Sequence, residues 1–207
     1  MTNTRETVFV VDDDPGVREA VGCLLRSIGL HAQLFASARE LLAITPPADP
    51  ACVLLDVRMP GISGLDCQRQ LSDAGFRIPV LFMTGYGDIP MSVRAMKAGA
   101  REFLTKPFRE QELIEAVQRA LDHDRERCSK EHVLTEMRER FASLTRRERE
   151  VMTGVVSGRL NKQIADDLGT SEITVKVHRS RVMHKMAAES VPDLVRMAER
   201  LELPFRT

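Results

Sequence analysis

Four apolar runs in the first half of the chain each end at a polar residue that can do chemistry, and this pattern restricts the fold more than any other. Val8-Phe9-Val10-Val11 stops at Asp12 and Asp13, Cys52-Val53-Leu54-Leu55 at Asp56, Val80-Leu81-Phe82-Met83 at Thr84, and Phe103-Leu104 shortly before Lys106. Short runs that are apolar throughout suit strands covered on both faces, the condition of a parallel sheet held between helices. In such a sheet the carboxyl ends of the strands lie on one rim, where ligands bind. Three acids, a hydroxyl and an amine are therefore predicted to converge.

Their chemistry limits what they can hold. Three carboxylates a few Å apart raise one another's pKa unless a cation joins them. Hard oxygen donors suit Mg²⁺, which keeps some waters and binds phosphate oxygens. An ammonium and a hydroxyl beside that ion are placed to hold the remaining oxygens of a phosphoryl group. Asp56, the central acid, is the expected nucleophile, and its attack on phosphorus gives an acyl phosphate. Asp14 is set apart by Pro15, which suits the first helical position, so Asp14 is read as a helix cap.

These residues resemble the receiver domain of bacterial two-component response regulators. The resemblance is carried by Val11-Asp12-Asp13, Leu55-Asp56-Val57-Arg58-Met59-Pro60-Gly61, Met83-Thr84-Gly85 and Thr105-Lys106-Pro107-Phe108, in that order. It implies that Asp12 and Asp13 are the acidic pair for Mg²⁺ and that Asp56 takes a phosphoryl group from a sensor histidine kinase. It further implies that the backbone carbonyl of Arg58 completes the metal site, while Thr84 and Lys106 contact the phosphoryl oxygens. By the same resemblance Thr84 is drawn toward the phosphoryl group and Phe103 rotates into the space it leaves, a local charge event that biases a two-state surface. A cis Lys106-Pro107 bond belongs to this expectation. Tyr86 departs from the pattern, since His is frequent there, and the motion of the loop after the fourth strand is left open.

Strands are predicted at Thr7–Val11, Ala32–Phe35, Cys52–Leu55, Val80–Met83 and Glu102–Leu104. Helices are predicted at about Gly16 to Ser27, Ala38 to Ala43, Gly64 to Asp73, Pro90 to Ala98 and Glu110 to Leu121. This alternation describes an α/β fold, a flavodoxin-like, doubly wound, parallel five-stranded sheet in the order 2-1-3-4-5. Asp12, Asp13 and Asp56 then sit at the switch point between strands 1 and 3. Ser37 with Glu40, and Ser63 with Asp66, mark two helix starts.

A formal net charge of zero conceals two unlike halves. Residues 1–122 carry 13 Lys and Arg against 16 Asp and Glu, whereas residues 143–207 carry 12 against 9. The first half suits a metal site and the second an anionic partner. No apolar stretch approaches a membrane span and no charged-then-apolar leader opens the chain, so a cytoplasmic protein without membrane insertion is expected. Cys23, Cys52, Cys67 and Cys128 lack metal-ligand spacing and are read as reduced helix or core residues.

Two domains and a helical linker follow: residues 1–122, the linker at 123–142, and residues 143–207. From Glu110 to Phe141 the chain has neither Gly nor Pro, and the stripe Leu113, Val117, Leu121 thins into a charge run. The last helix of the first domain is expected to continue into this linker, with Leu134, Met137 and Phe141 as a second apolar face and His123 and His132 on the surface. Beyond it Thr145 and Glu148 form a capping box, Asn161 is predicted to cap a short helix at 162–168, Gly169 breaks it, and Ser171 caps a longer helix to Met186. Short helix, tight turn and longer helix make a helix-turn-helix, whose second helix enters the DNA major groove.

At 100° per residue, Val175, Val182 and Met186 face the core of that unit, and Ile173, Val177, Ser180 and His184 face outward. Val177 can touch a thymine methyl, Lys176 and Ser180 can reach base edges, and Arg181, Lys185 and Lys162 are phosphate candidates. Leu144 to Val151, Gly158, Asn161 to Ala165, Leu168 and Thr174 to His178 look like the LuxR/NarL-type DNA-binding domain. That resemblance adds a fourth helix, Val191 to Leu201, as a dimer contact. Together the parts resemble regulators of the FixJ type: no enzyme, but a transcription factor that dimerises on phosphorylation, binds promoter DNA and works with RNA polymerase. Two other readings stand beside it. One is a constitutive DNA-binding protein with the first domain as a dimerisation platform; the other is a phosphotransfer enzyme with an aspartyl phosphate, which would need an acid where Arg58 stands.

Overall fold

Why the apolar runs carry no polar face becomes plain once the sheet is traced. The computed structural model describes residues 6–85 and 99–203 of the chain. Strands β1 (Thr7–Val11), β2 (His31–Phe35), β3 (Ala51–Asp56), β4 (Val80–Thr84) and β5 (Glu102–Thr105) form one parallel sheet in the order β2-β1-β3-β4-β5. Around it lie α1 (Pro15–Ser27), α2 (Ala38–Leu42), α3 (Gly64–Asp73) and the start of α4 (Glu110–Ala142). Alternate residues point to opposite sides. Phe9, Val11, Val53, Leu55 and Phe82 pack with Leu41 and Leu71 of α2 and α3, while Val8, Val10, Cys52, Leu54, Leu81 and Met83 pack with Val21 and Leu25 of α1 and Leu113 and Val117 of α4. Each Leu or Phe removed from water this way contributes about 1.5–3 kcal/mol.

The predicted strands are one residue short at several ends, and the difference matters. Asp56 and Thr84 are the last residues of β3 and β4, held by the ladder itself: Val57 N donates to the Met83 carbonyl at 3.0 Å, and Asp56 pairs in register with Met83. Asp14 caps α1 as expected, its carboxylate accepting from the backbone of Gly16 and Val17. Ser37 and Ser63 cap α2 and α3. Gly64, at the start of α3, permits no side chain, because a Cβ there would stand 2.5 Å from the Asp56 carbonyl oxygen and 2.9 Å from Val57 Cα. The helix expected at residues 90–98, and Tyr86, lie outside the described residues.

The chain divides into two compact units, residues 1–129 and 130–207. Within the first, the charge run expected to lie in the helical linker contains a buried anchor. Asp124 is 0% exposed; its carboxylate accepts from the Ala51 amide at 2.9 Å and from Arg127 Nε at 2.6 Å. Asp124→Ala strands that amide, which opens β3, and should cost about 1–3 kcal/mol in urea unfolding; a loss below a few tenths would mean that water replaces the carboxylate.

The second unit packs α5 (Arg146–Val156), α6 (Asn161–Asp167), α7 (Glu172–Met186) and α8 (Val191–Arg200) about Val151, Met152, Ile164, Val175, Val182, Met186 and Leu194. Met137 and Phe141, from the end of α4, join that core. The capping box of Thr145 and Glu148 is present, and Ser171 accepts from Thr174 N. Asn161 is not the cap expected of it. It is the first residue of α6, and its side-chain oxygen accepts from Arg179 of α7 at 3.0 Å, so a residue chosen as a local cap serves to tie two helices together.

Candidate functional site

Sheet register delivers the first site. Val11 pairs with Leu55, which sets Asp12 level with Asp56, and Thr84 pairs with Thr105, the residue before Lys106. Lys106 then closes the group: its Nζ stands 2.6 Å from Asp12 Oδ2 and 2.7 Å from Asp56 Oδ1, with its side chain 20% exposed. The Lys106-Pro107 bond is cis, and the Lys106 amide donates to the Thr84 carbonyl at 2.7 Å. Asp56 Oδ2 accepts from the Arg58 amide at 2.7 Å, and Asp12 Oδ1 from the Asp14 amide at 3.0 Å. Both carboxylates are buried, as is Thr84. Phe103 is half-buried against the core, its ring centroid 6.5 Å from that of Phe82.

Burial pushes the Asp56 carboxyl above its ordinary range, against the hydrogen bond and charge of Lys106 and the Arg58 amide, and the charge of Asp12 adds to the rise. Burial alone would lower the Lys106 ammonium, but its hydrogen bonds to Asp12 and Asp56 and their charges outweigh it and leave it above its ordinary value. When ionised, the trio carries two negative charges and one positive. That deficit, with hard oxygen donors on a rim, fits a divalent cation.

The three expected acids do not assemble as one cluster, and this qualifies the metal reading. Asp13 is exposed, and among the described residues no group of three or more acids, histidines or cysteines is close enough to hold an ion. Lys106 lies between the two buried carboxylates and bonds one oxygen of each. Arg58 is exposed and contributes its amide to Asp56. One participant went unforeseen: Arg18 of α1 donates to the Asp12 carbonyl at 2.6 Å and braces the acidic turn. Its only sequence signal is its place one helical turn beyond a capping Asp.

The second site is the outward face of α7. Lys176, Val177, Ser180, Arg181 and, on α6, Lys162 are all exposed, opposite the buried Val175, Val182 and Met186. Lys176 pairs with Glu172 at 3.3 Å. Lys185, expected at phosphate, is held by its own unit in this structure. Its ammonium lies 2.7 Å from Glu148 Oε2 and 3.2 Å from the Ser143 carbonyl, so helical spacing put a cation near the groove face while packing assigned it to a buried acid.

The Lys185 ammonium, ahead of the Thr145 amide, pulls Glu148 down from 4.5 to about 2. A carboxyl depressed on folding stabilises fully above its unfolded value, and the contribution is lost as pH falls through the folded one. Glu148→Gln should therefore weaken the second unit at neutral pH yet remove part of its acid sensitivity between about pH 4.5 and 2. Amide exchange in residues 143–203 measures it, and parallel pH profiles for variant and wild type would refute it.

Comparison with known proteins matches each unit to a family. Residues 8–118 match the response regulator receiver domain, and residues 142–198 match the bacterial regulatory proteins of the luxR family. Nodulation protein W of Bradyrhizobium diazoefficiens is 49% identical, over 96% of this chain and 88% of its own length. The transcriptional regulatory protein FixJ of Azorhizobium caulinodans is 47% identical, over 92% and 90%. Among solved structures, the response regulator StyR is similar with a TM-score of 0.86 and 46% identity, over 95% of this chain and 99% of that one. Full-length FixJ from B. japonicum is similar with a TM-score of 0.56 and 37% identity, over 98% and 100%. Receiver site, helix-turn-helix and near full-length relatives agree: the chain belongs to the two-component response regulators that join a receiver domain to a LuxR-type DNA-binding domain and regulate transcription.

Proposed function

We propose that Asp56 is the phosphoacceptor of this regulator, that a sensor histidine kinase supplies the phosphoryl group, and that phosphorylation pairs two chains on promoter DNA. The observation that carries the reading is the Asp12-Lys106-Asp56 arrangement at the carboxyl ends of β1, β3 and β5, where one shared ammonium leaves two buried carboxylates short of positive charge. Receiver domains bind Mg²⁺ at the phosphorylation site; Asp12, Asp13, Asp56 and the Arg58 carbonyl are the groups that would hold it here. When bound it would neutralise charge on the transferring phosphoryl group. Asp13 is exposed and follows Asp12 in the chain.

In this reading an Asp56 carboxylate oxygen attacks the phosphorus of the kinase's phosphohistidine, the P–N bond breaks and the imidazole leaves, taking up a proton, while Lys106, beside Asp12 and Asp56, is placed to contact the phosphoryl oxygens. Thr84, drawn toward them, and Phe103, packed on Phe82, form the switch. Residues 1–122 act as input, 123–142 as linker and 143–207 as output. Lys176, Val177 and Ser180 face bases, and Arg181 and Lys162 face phosphate. The chain is no enzyme on this account, because Arg58 stands two residues beyond Asp56, where turnover would need an acid. It works in the cytoplasm, and the DNA-bound pair engages RNA polymerase.

Two copies are needed because a single small helix-turn-helix buries too little surface to select a genomic site. Sedimentation of the full chain with acetyl phosphate and Mg²⁺ should reveal a dimer that is absent without the phosphodonor. A monomer carrying a demonstrated Asp56 adduct would overturn the pairing.

A further inference from the structure

Among the described residues few large apolar side chains stand in water, and two of them share one face of α7. Ile173 is 74% exposed and Val177 is 46% exposed. Four positions apart on a helix, they are stacked neighbours, opposite the buried Val175, Val182 and Met186. Ile173 is the second residue of α7 and Val177 lies in its second turn, the part of a recognition helix that meets base edges. The surroundings are charged: Lys176 and Arg181 are exposed beside them, and the carboxylate of Glu172, next to Ile173, is neutralised by Lys176 at 3.3 Å. An apolar strip with cationic flanks complements a polyanion whose groove carries methyl groups, and thymine presents such a methyl in the major groove.

We propose that Ile173 and Val177 together read the 5-methyl groups of two nearby pyrimidines, about one to two base steps apart. The spacing follows from geometry: four residues advance a helix by about 6 Å, which spans about one to two base steps for a helix lying in the major groove. Ile173 is thus a specificity-determining residue, not mere surface, and the ligand class is a thymine-bearing step. This inference rests on the DNA-binding reading of α7.

The test uses the full chain treated with acetyl phosphate and Mg²⁺, and a duplex that it has enriched from a random pool. That duplex is then made with thymine replaced, position by position, by deoxyuridine, which lacks only the methyl. Wild type should lose about three- to fivefold in affinity at each of two positions about one to two steps apart, the worth of one buried methyl. Ile173→Ala should bind the thymine and deoxyuridine forms alike at one of those positions. Lys176→Ala should bind both forms more weakly while keeping their ratio. Because Ile173 is exposed, its replacement leaves the core intact. A wild-type ratio of one at every position, with sequence selection intact, overturns this inference alone; so does an Ile173→Ala chain that keeps the wild-type ratios. Failure to enrich any sequence overturns the DNA-binding reading and this inference with it.

Discussion

Asp56→Asn is expected to lose the whole of the Mg²⁺-dependent phosphoryl adduct and, with it, the gain in DNA affinity that follows treatment with acetyl phosphate. The amide has nearly the shape of the carboxylate and its oxygen can still accept from the Arg58 amide, so the fold should persist while the nucleophile is gone. Intact-mass measurement and DNA titration on the same samples decide it. An adduct that moves to another residue with affinity still rising would reject Asp56 as the input, and a receiver acting as a bare dimerisation platform would leave the affinity unchanged in both chains. The variant should also be the more stable protein at neutral pH in metal-free buffer. Burial holds the Asp56 carboxyl above its ordinary value, so its favourable contribution is complete below the unfolded value and fades as pH rises through the raised one. The stability gained from Asn should therefore vanish in acid.

Lys106→Ala is expected to be costly in the opposite direction. It leaves Asp12 and Asp56 buried without their shared cation, and stranding buried charge this way costs on the order of 3 kcal/mol. Two further signs distinguish that cause from lost packing. Stability should recover as pH falls, because protonating one carboxylate relieves the repulsion, and it should recover on adding Mg²⁺, because a ligand that binds the folded state alone stabilises it by mass action. Thermal melts across pH, with and without Mg²⁺, measure both. A loss independent of pH and of Mg²⁺ would mean that the ammonium contributes by packing.

How much of this was legible beforehand varies with the range of the interaction. The sheet order and the positions of Asp12, Asp56, Thr84 and Lys106 followed from apolar runs and their end points, since a strand buried on both faces must be apolar and the next polar residue marks the rim. Asp14, Ser171 and the Thr145-Glu148 box were legible because a cap acts within four residues. Asn161 was misjudged by the same local rule, since its partner Arg179 lies 18 residues away. Asp124 was hidden in a charge run, and only the approach of Ala51, 73 residues distant in sequence, makes it a buried acceptor. Lys185 looked like a surface cation until Glu148 came within 2.7 Å.

By itself, then, the sequence determined the strand order and the residues offered to the rim, because hydrophobic period and capping are properties of neighbours along the chain. The tertiary structure alone decided how those residues are used: that one ammonium bridges Asp12 and Asp56 while Asp13 stays outside, that Lys185 is committed to Glu148, and that Asp124 holds the start of β3. Charges acquire roles from what stands within about 4 Å of them after burial, where the low dielectric makes each pairing strong and each omission expensive, and no sequence pattern of neighbours specifies that.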